Sequence, residues 1–353
     1  MTPVRRLALV AGLALAGLGA AFFAGDVTAR PKREPVLEAP PPPPPLPPVG
    51  LADRFLSEAA AYQSYMRQSQ TISPAFQDAS GVQQSLRTGV AYEPGQFQRG
   101  EVAHAAIAAL QDRSFVAAVR AEGATPAGRY AIVARLYADP ANVLAFHDAP
   151  TAAGLAKQAL ASDGNRLLTL GKQVRKAAYD IQHQAWSKED VVARDERLQA
   201  AKLLSTSPRA AVDADVAQLR ALVVEDPTAA PSAAPLPTPA PPPYSPLIIR
   251  ATALAAVAAI GQASDADAAR LSWLFDDYFT AHCLDHAKRE LNECLAVAKP
   301  NYEDVFCLGE PAMMYTGECV VKGAGSWVPL EIATRTIPIP PLHRHAVART
   351  RRR

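Results

Sequence analysis

His282, Cys283, Asp285 and His286 fall within five consecutive positions, and Glu290 follows four residues after His286. Side chains four apart share a helix face. His282, His286 and Glu290 would therefore form a row, and two imidazoles with one carboxylate suit zinc or copper with an open position. Cys283 near His286 also raises a nucleophilic thiol, although four cysteines in an exported chain are far more often bridges. Successive residues about 100° apart put both histidines well away from the centre of the local apolar face. The row is then equally a solvated face. His104, His147 and His183 stand alone in sequence and carry no catalytic expectation, with Trp186 beside His183 read as a packing anchor.

The four cysteines are Cys283, Cys294, Cys307 and Cys319, and no other thiol occurs in the 353 residues. Asp265 to Ala298 reads as helix with Ser264 as its N-cap, although its apolar face changes sides midway, so it either breaks near Ala281 or meets two sets of neighbours. Cys283 and Cys294 share a face but lie about 16 Å apart along an intact helix, beyond the roughly 7 Å a disulfide spans. Lys299-Pro300-Asn301-Tyr302 supplies a turn. Of three connectivities the expected one is nested, Cys294–Cys307 and Cys283–Cys319; a Cys283–Cys294 bond would need a broken helix. This layout is similar to the twin-cysteine helical hairpin of the coiled-coil-helix family. Each pair here encloses more residues than that family's pairs do, the likeness covers Cys283 to Cys319 only, and it implies no enzymatic activity.

The elements that must position these residues read as helices, so the fold class is all-α: a multi-helix body plus a small disulfide-stapled hairpin module, joined by proline-rich linkers. Phe55, Ala59, Tyr62 and Met66 recur at helical spacing, as do Leu167, Leu170, Val174, Ala178, Ile181 and Ala185, and again Val212, Val216, Leu219 and Val223. Thr125-Pro126, Asp139-Pro140 and Ser207-Pro208 each place a capping side chain before a proline suited to the first helical turn. Asp163-Gly164 reads as a further helix start and Gly123 as a stop. About eight helices are expected in the body, most of them short, with no fixed-period repeat.

Six segments follow. Residues 1–29 are a signal peptide or signal anchor: Arg5 and Arg6, an apolar run Leu7–Gly25, then Val27-Thr28-Ala29. Residues 30–50 and 227–246 are proline-rich linkers, read as spacers before ligands of a proline-recognising domain. Between them lies the all-α domain 51–226, followed by the four-cysteine helical module 247–325. Residues 326–353 form a disordered basic tail that could dock on anionic envelope surfaces.

The net charge of +2 provides no field for nucleic acid. No phosphate loop, dinucleotide fingerprint, His-Glu-x-x-His or Gly-x-Ser-x-Gly elbow occurs. No cofactor is expected. The expected function is an exported, periplasmic, non-enzymatic scaffold or adaptor of the bacterial cell envelope, partnered by an envelope protein or an anionic surface and, where the signal is retained, anchored in the inner membrane by residues 7–25. The alternative is an envelope metal-binding protein or hydrolase using His282, His286 and Glu290.

Overall fold

Side-chain caps from Asp78, Glu93, Asp112, Thr125 and Asp139 start successive helical segments of the body. The computed structural model describes residues 45–224 and 238–326, which leaves the export segment, the basic tail and the inner parts of both proline tracts outside. Helix α1 (Asp53–Ser69) buries Phe55, Ala59, Tyr62 and Met66. Asp78 accepts from Gly81 N at 2.8 Å to open α2 (Ala79–Val90). Glu93, with Pro94 in the first turn, opens α3 (Pro94–Ala109). Asp112 caps α4 (Arg113–Glu122) and Thr125 caps α5 (Pro126–Ala138), with Gly123 closing α4. Each such cap is worth about 1 kcal/mol. Asp139 caps a 3₁₀ segment, Pro140–Ala145. The 32-residue α6 (Ala149–Asp180) follows, then α7 (Ala185–Lys188), α8 (Arg194–Thr206) and α9 (Asp213–Val224).

Two expected helix starts are not starts. Asp163 and Gly164 lie inside α6, where tertiary contacts fix both residues. Ser207 ends α8 instead of opening a helix. Arg209 holds the chain beyond it out of helix. Its guanidinium donates to Ala91 O at 2.9 Å and to the Gln68 side chain, and its amide donates to Gln96 Oε1 at 2.6 Å.

After the second proline tract, α10 (Pro246–Ala259) is apolar on every side and buries Leu247, Ile248 and the run Ala251–Ala259. Such a helix has to be enclosed. It packs among α3, α6 and the Pro140–Ala145 segment. The buried residues of 247–325 therefore belong to the same hydrophobic core as those of the body. The described ends of the linkers are docked as well. Gly50 N donates to Ala258 O at 3.3 Å, and the buried Lys157 amine donates to Pro241 O and Pro243 O at 2.9 and 3.0 Å.

The helix expected across 265–298 breaks at Asp276-Asp277. Residues Ala268–Phe275 form a 3₁₀ segment, and Asp277 accepts from Thr280 N at 2.8 Å to start α11 (Tyr278–Val297). The break reconciles the two apolar faces, burying Leu271 and Leu274 before it and Leu284 and Leu291 after it. Ser264 is not a helix cap; its amide and hydroxyl both donate to Asp267, at 3.1 and 2.7 Å. The chain returns through α12 (Asn301–Cys307), a π-helical turn Leu308–Met314, and α13 (Tyr315–Gly323). Pro311 cannot donate an intrahelical bond, and the π turn widens the helix around it, with Tyr315 N donating to Glu310 O. This arm lies flush on α6. A Cβ at Gly164 would stand 2.8 Å from Val321 Cγ2, and one at Gly171 2.8 Å from Met314 N. Glycine permits that approach.

Candidate functional site

Two disulfides, Cys283–Cys319 and Cys294–Cys307, clamp α11 to the returning arm, with Cα separations of 5.6 and 5.7 Å. Structural disulfides persist in oxidising settings, so they point to an exported environment. Among the described residues no helix is long and apolar enough to cross a membrane. The proposed anchor, residues 7–25, lies outside them.

His282, His286 and Glu290 sit on the exposed side of α11, as the face argument allowed. His286 Nε2 lies 3.6 Å from Glu290 Oε1. His282 instead stacks on Tyr278, ring centroids 5.7 Å apart and planes within 10°. Among the described residues no group of three His, Cys, Asp or Glu side chains is placed to hold a metal ion. Cys283 is bonded to Cys319 and has no free thiol.

Sequence reasoning missed a polar cluster inside the helices. Tyr62 donates to Asp163 Oδ2 at 3.1 Å, His104 Nε2 lies 3.4 Å from the same oxygen, and Arg166 pairs with Asp163 Oδ1. Gln63 Nε2 meets His104 Nδ1 at 3.0 Å. His104 is therefore built into this network, while His147 and His183 are exposed. Next to the cluster is Glu101, fully buried, with no hydrogen-bond partner on either oxygen. Burial, then the Asp277 and Asp163 carboxylates, push its carboxyl well above the ordinary range. Burial and Asp163 likewise raise the Tyr62 hydroxyl. The only sequence signal was an acidic residue set among alanines on α3.

Lys288, Arg197 and Asp304 are buried as well. Lys288 Nζ donates to Val90 O at 2.6 Å and lies 3.3 Å over the Tyr92 ring; burial drives its pKa well down. Arg197 pairs with Asp304, which also accepts from Gln83 Nε2 at 2.9 Å. Arg197 donates to Leu295 O at 2.7 Å, so this pair ties α8 and α12 to the end of α11. Burial raises Asp304 to about 6 even against the opposing pull of Arg197. These groups are hydrogen-bonded into the packing, although Lys288 and Arg197 also line surface clefts.

The surface presents one aromatic groove, of about 520 Å³, between α5 and the 3₁₀ segment Ala268–Phe275. Tyr130 is 78% exposed and Tyr137 68% exposed, although both are large and partly apolar. Trp273 meets Tyr137 edge to face, centroids 5.4 Å apart at 83°. Arg129 and Arg270 flank the rings. Exposed aromatics grouped in a groove are the usual anchors of a docking surface. Tyr278 and Phe279 make a second exposed aromatic pair. No protein-family model, curated protein or solved structure matches this chain.

Proposed function

We propose that this protein is an exported, periplasmic, non-enzymatic adaptor of the bacterial cell envelope, docking a partner through the α5 groove. One observation carries the reading: Tyr130 and Tyr137 stand open to solvent beside Trp273, in a groove with no carboxylate or histidine among its described lining residues. The disulfides support the compartment. The arginine-rich end of the chain would add attraction to anionic envelope surfaces.

The test is a photo-crosslinking residue placed at position 130 in the exported protein. A discrete adduct is expected, weakened by Trp273→Ala. Crosslinking no stronger than at Lys176, on the exposed side of α6, would refute docking through this groove. Zinc or copper bound stoichiometrically to the purified protein, and lost on His282→Ala, would refute the non-enzymatic reading.

A further inference from the structure

We infer that the α5 groove takes an extended, proline-rich peptide with an acidic flank, a choice of partner that rests on the adaptor reading above. Helix α5 buries Ile132 and Leu136, and the opposite face carries Tyr130, Val133 and Tyr137 along the groove. Tyr130 and Tyr137 are seven residues apart, about 10.5 Å along a helix. A polyproline II chain repeats every three residues, about 9.3 Å. Prolines on one side of such a peptide would therefore meet both rings in succession.

Ring geometry separates this occupant from a glycan. A pyranose chain stacks on flat aromatic faces, whereas Tyr137 and Trp273 stand at 83° and form a notch. A pyrrolidine ring fits a notch between two aromatic rings, and a polyproline II peptide loses little conformational entropy on docking there.

Charge sets the flank. No carboxylate is among the described residues lining the groove, while Arg129 and Arg270 both do so. Arg129 is held by Gly123 O at 3.3 Å, and Arg270 by Asp267 and Gln262 Oε1 at 2.7 and 3.0 Å. Arg270 is thus ion-paired with Asp267 and can add a bond to a peptide carbonyl, while Arg129, held by a backbone carbonyl, supplies the charge for a carboxylate. The adjoining surface already handles proline backbone in this manner. Pro47 packs against Gly261, next to the groove residue Gln262, and Arg120 Nη1 donates to Pro47 O at 3.0 Å.

The probe is a fluorescent peptide reproducing residues 34–45 of this chain, Glu-Pro-Val-Leu-Glu-Ala followed by six prolines. It is titrated onto the full chain and onto a chain starting at residue 45, with circular dichroism confirming the helix content of every variant. Saturable binding is expected, weakened at least about tenfold by Tyr137→Ala and by Trp273→Ala. Replacing the peptide's prolines with alanine should abolish it. No saturation below about 1 mM with either chain, or binding indifferent to both substitutions, overturns the inference. So does saturable binding of a soluble chitin oligosaccharide in place of the peptide. Crosslinks at position 130 that persist while the peptide fails to bind would sink this inference alone; loss of both would sink the adaptor reading too.

Discussion

Gly317 of α13 faces Leu168 of α6 so closely that a Cβ at 317 would stand 2.6 Å from the Leu168 amide nitrogen. Backbone atoms of two helices cannot yield as a flexible side chain can. Gly317→Ala should therefore destabilise the fold by about 1–3 kcal/mol or more, read as a shift in the urea midpoint. Gly81→Ala is the control: its Cβ would meet only Asp78 Oδ1, at 3.6 Å, inside a helix. That change should leave stability equal or raise it by about 0.5–1 kcal/mol. Equal gains from the two would mean helix propensity, and not the crossing, governs position 317.

Each disulfide contributes according to the loop it closes. Cys283–Cys319 spans 36 residues and Cys294–Cys307 spans 13. Chain-entropy arguments assign about 4 and about 3 kcal/mol respectively. Paired Cys→Ala replacements, measured by chemical denaturation, should rank the outer bond first. The reverse order would contradict a loop-closure origin.

Glu101 makes stability depend on pH in an unusual direction. Its folded pKa is raised, so the native state holds a proton that the unfolded chain releases. That contribution is complete below the ordinary carboxylate pKa and is lost as pH rises through the higher folded value. Glu101→Met removes a buried carboxyl that lacks partners, and should stabilise the protein by about 1–3 kcal/mol at neutral pH. The advantage should fade towards about pH 4, the ordinary range of the group. Parallel stability curves for the two proteins would refute this account.

Arg197→Met leaves Asp304 buried without its cation and should cost about 3–5 kcal/mol at neutral pH. Asp304 already titrates near 6, and removing Arg197 takes away the attraction that holds it down. Protonation of the native carboxyl, whose pKa in the variant rises above 6, then relieves the variant, so its deficit should shrink as pH falls towards about 6 and level off below it. Thermal melts at successive pH values would show it; a constant deficit would mean the loss comes from packing alone.

Local chemistry was legible in the sequence and long-range chemistry was not. Thr125 and Asp139 cap the segments that follow them because a cap needs only its next few residues. The same signals misled at Ser207-Pro208, where Arg209 is captured by Gln96 and Ala91 about a hundred residues earlier. Asp163-Gly164 read as a break because both residues disfavour helix locally. In the fold, Asp163 answers Tyr62 and Gly164 makes room for α13. Cysteine spacing on an intact helix argued for a returning arm, and α12 to α13 supplies it. His104 looked isolated because its partners, Gln63 and Asp163, arrive from other helices. The groove was invisible for the same reason: Tyr137 and Trp273 are 136 positions apart.

The burial of α10 has a consequence for the timetable of folding. A polypeptide emerges from its N-terminus, and 150 residues separate the end of α3 at Ala109 from the end of α10 at Ala259. At about 5–20 residues per second that is a delay of about 8–30 s. Throughout that interval the faces of α3 and α6 that α10 covers stay open, although α3 can already pack on α1. The core is therefore sealed only after α10 has emerged, late in synthesis.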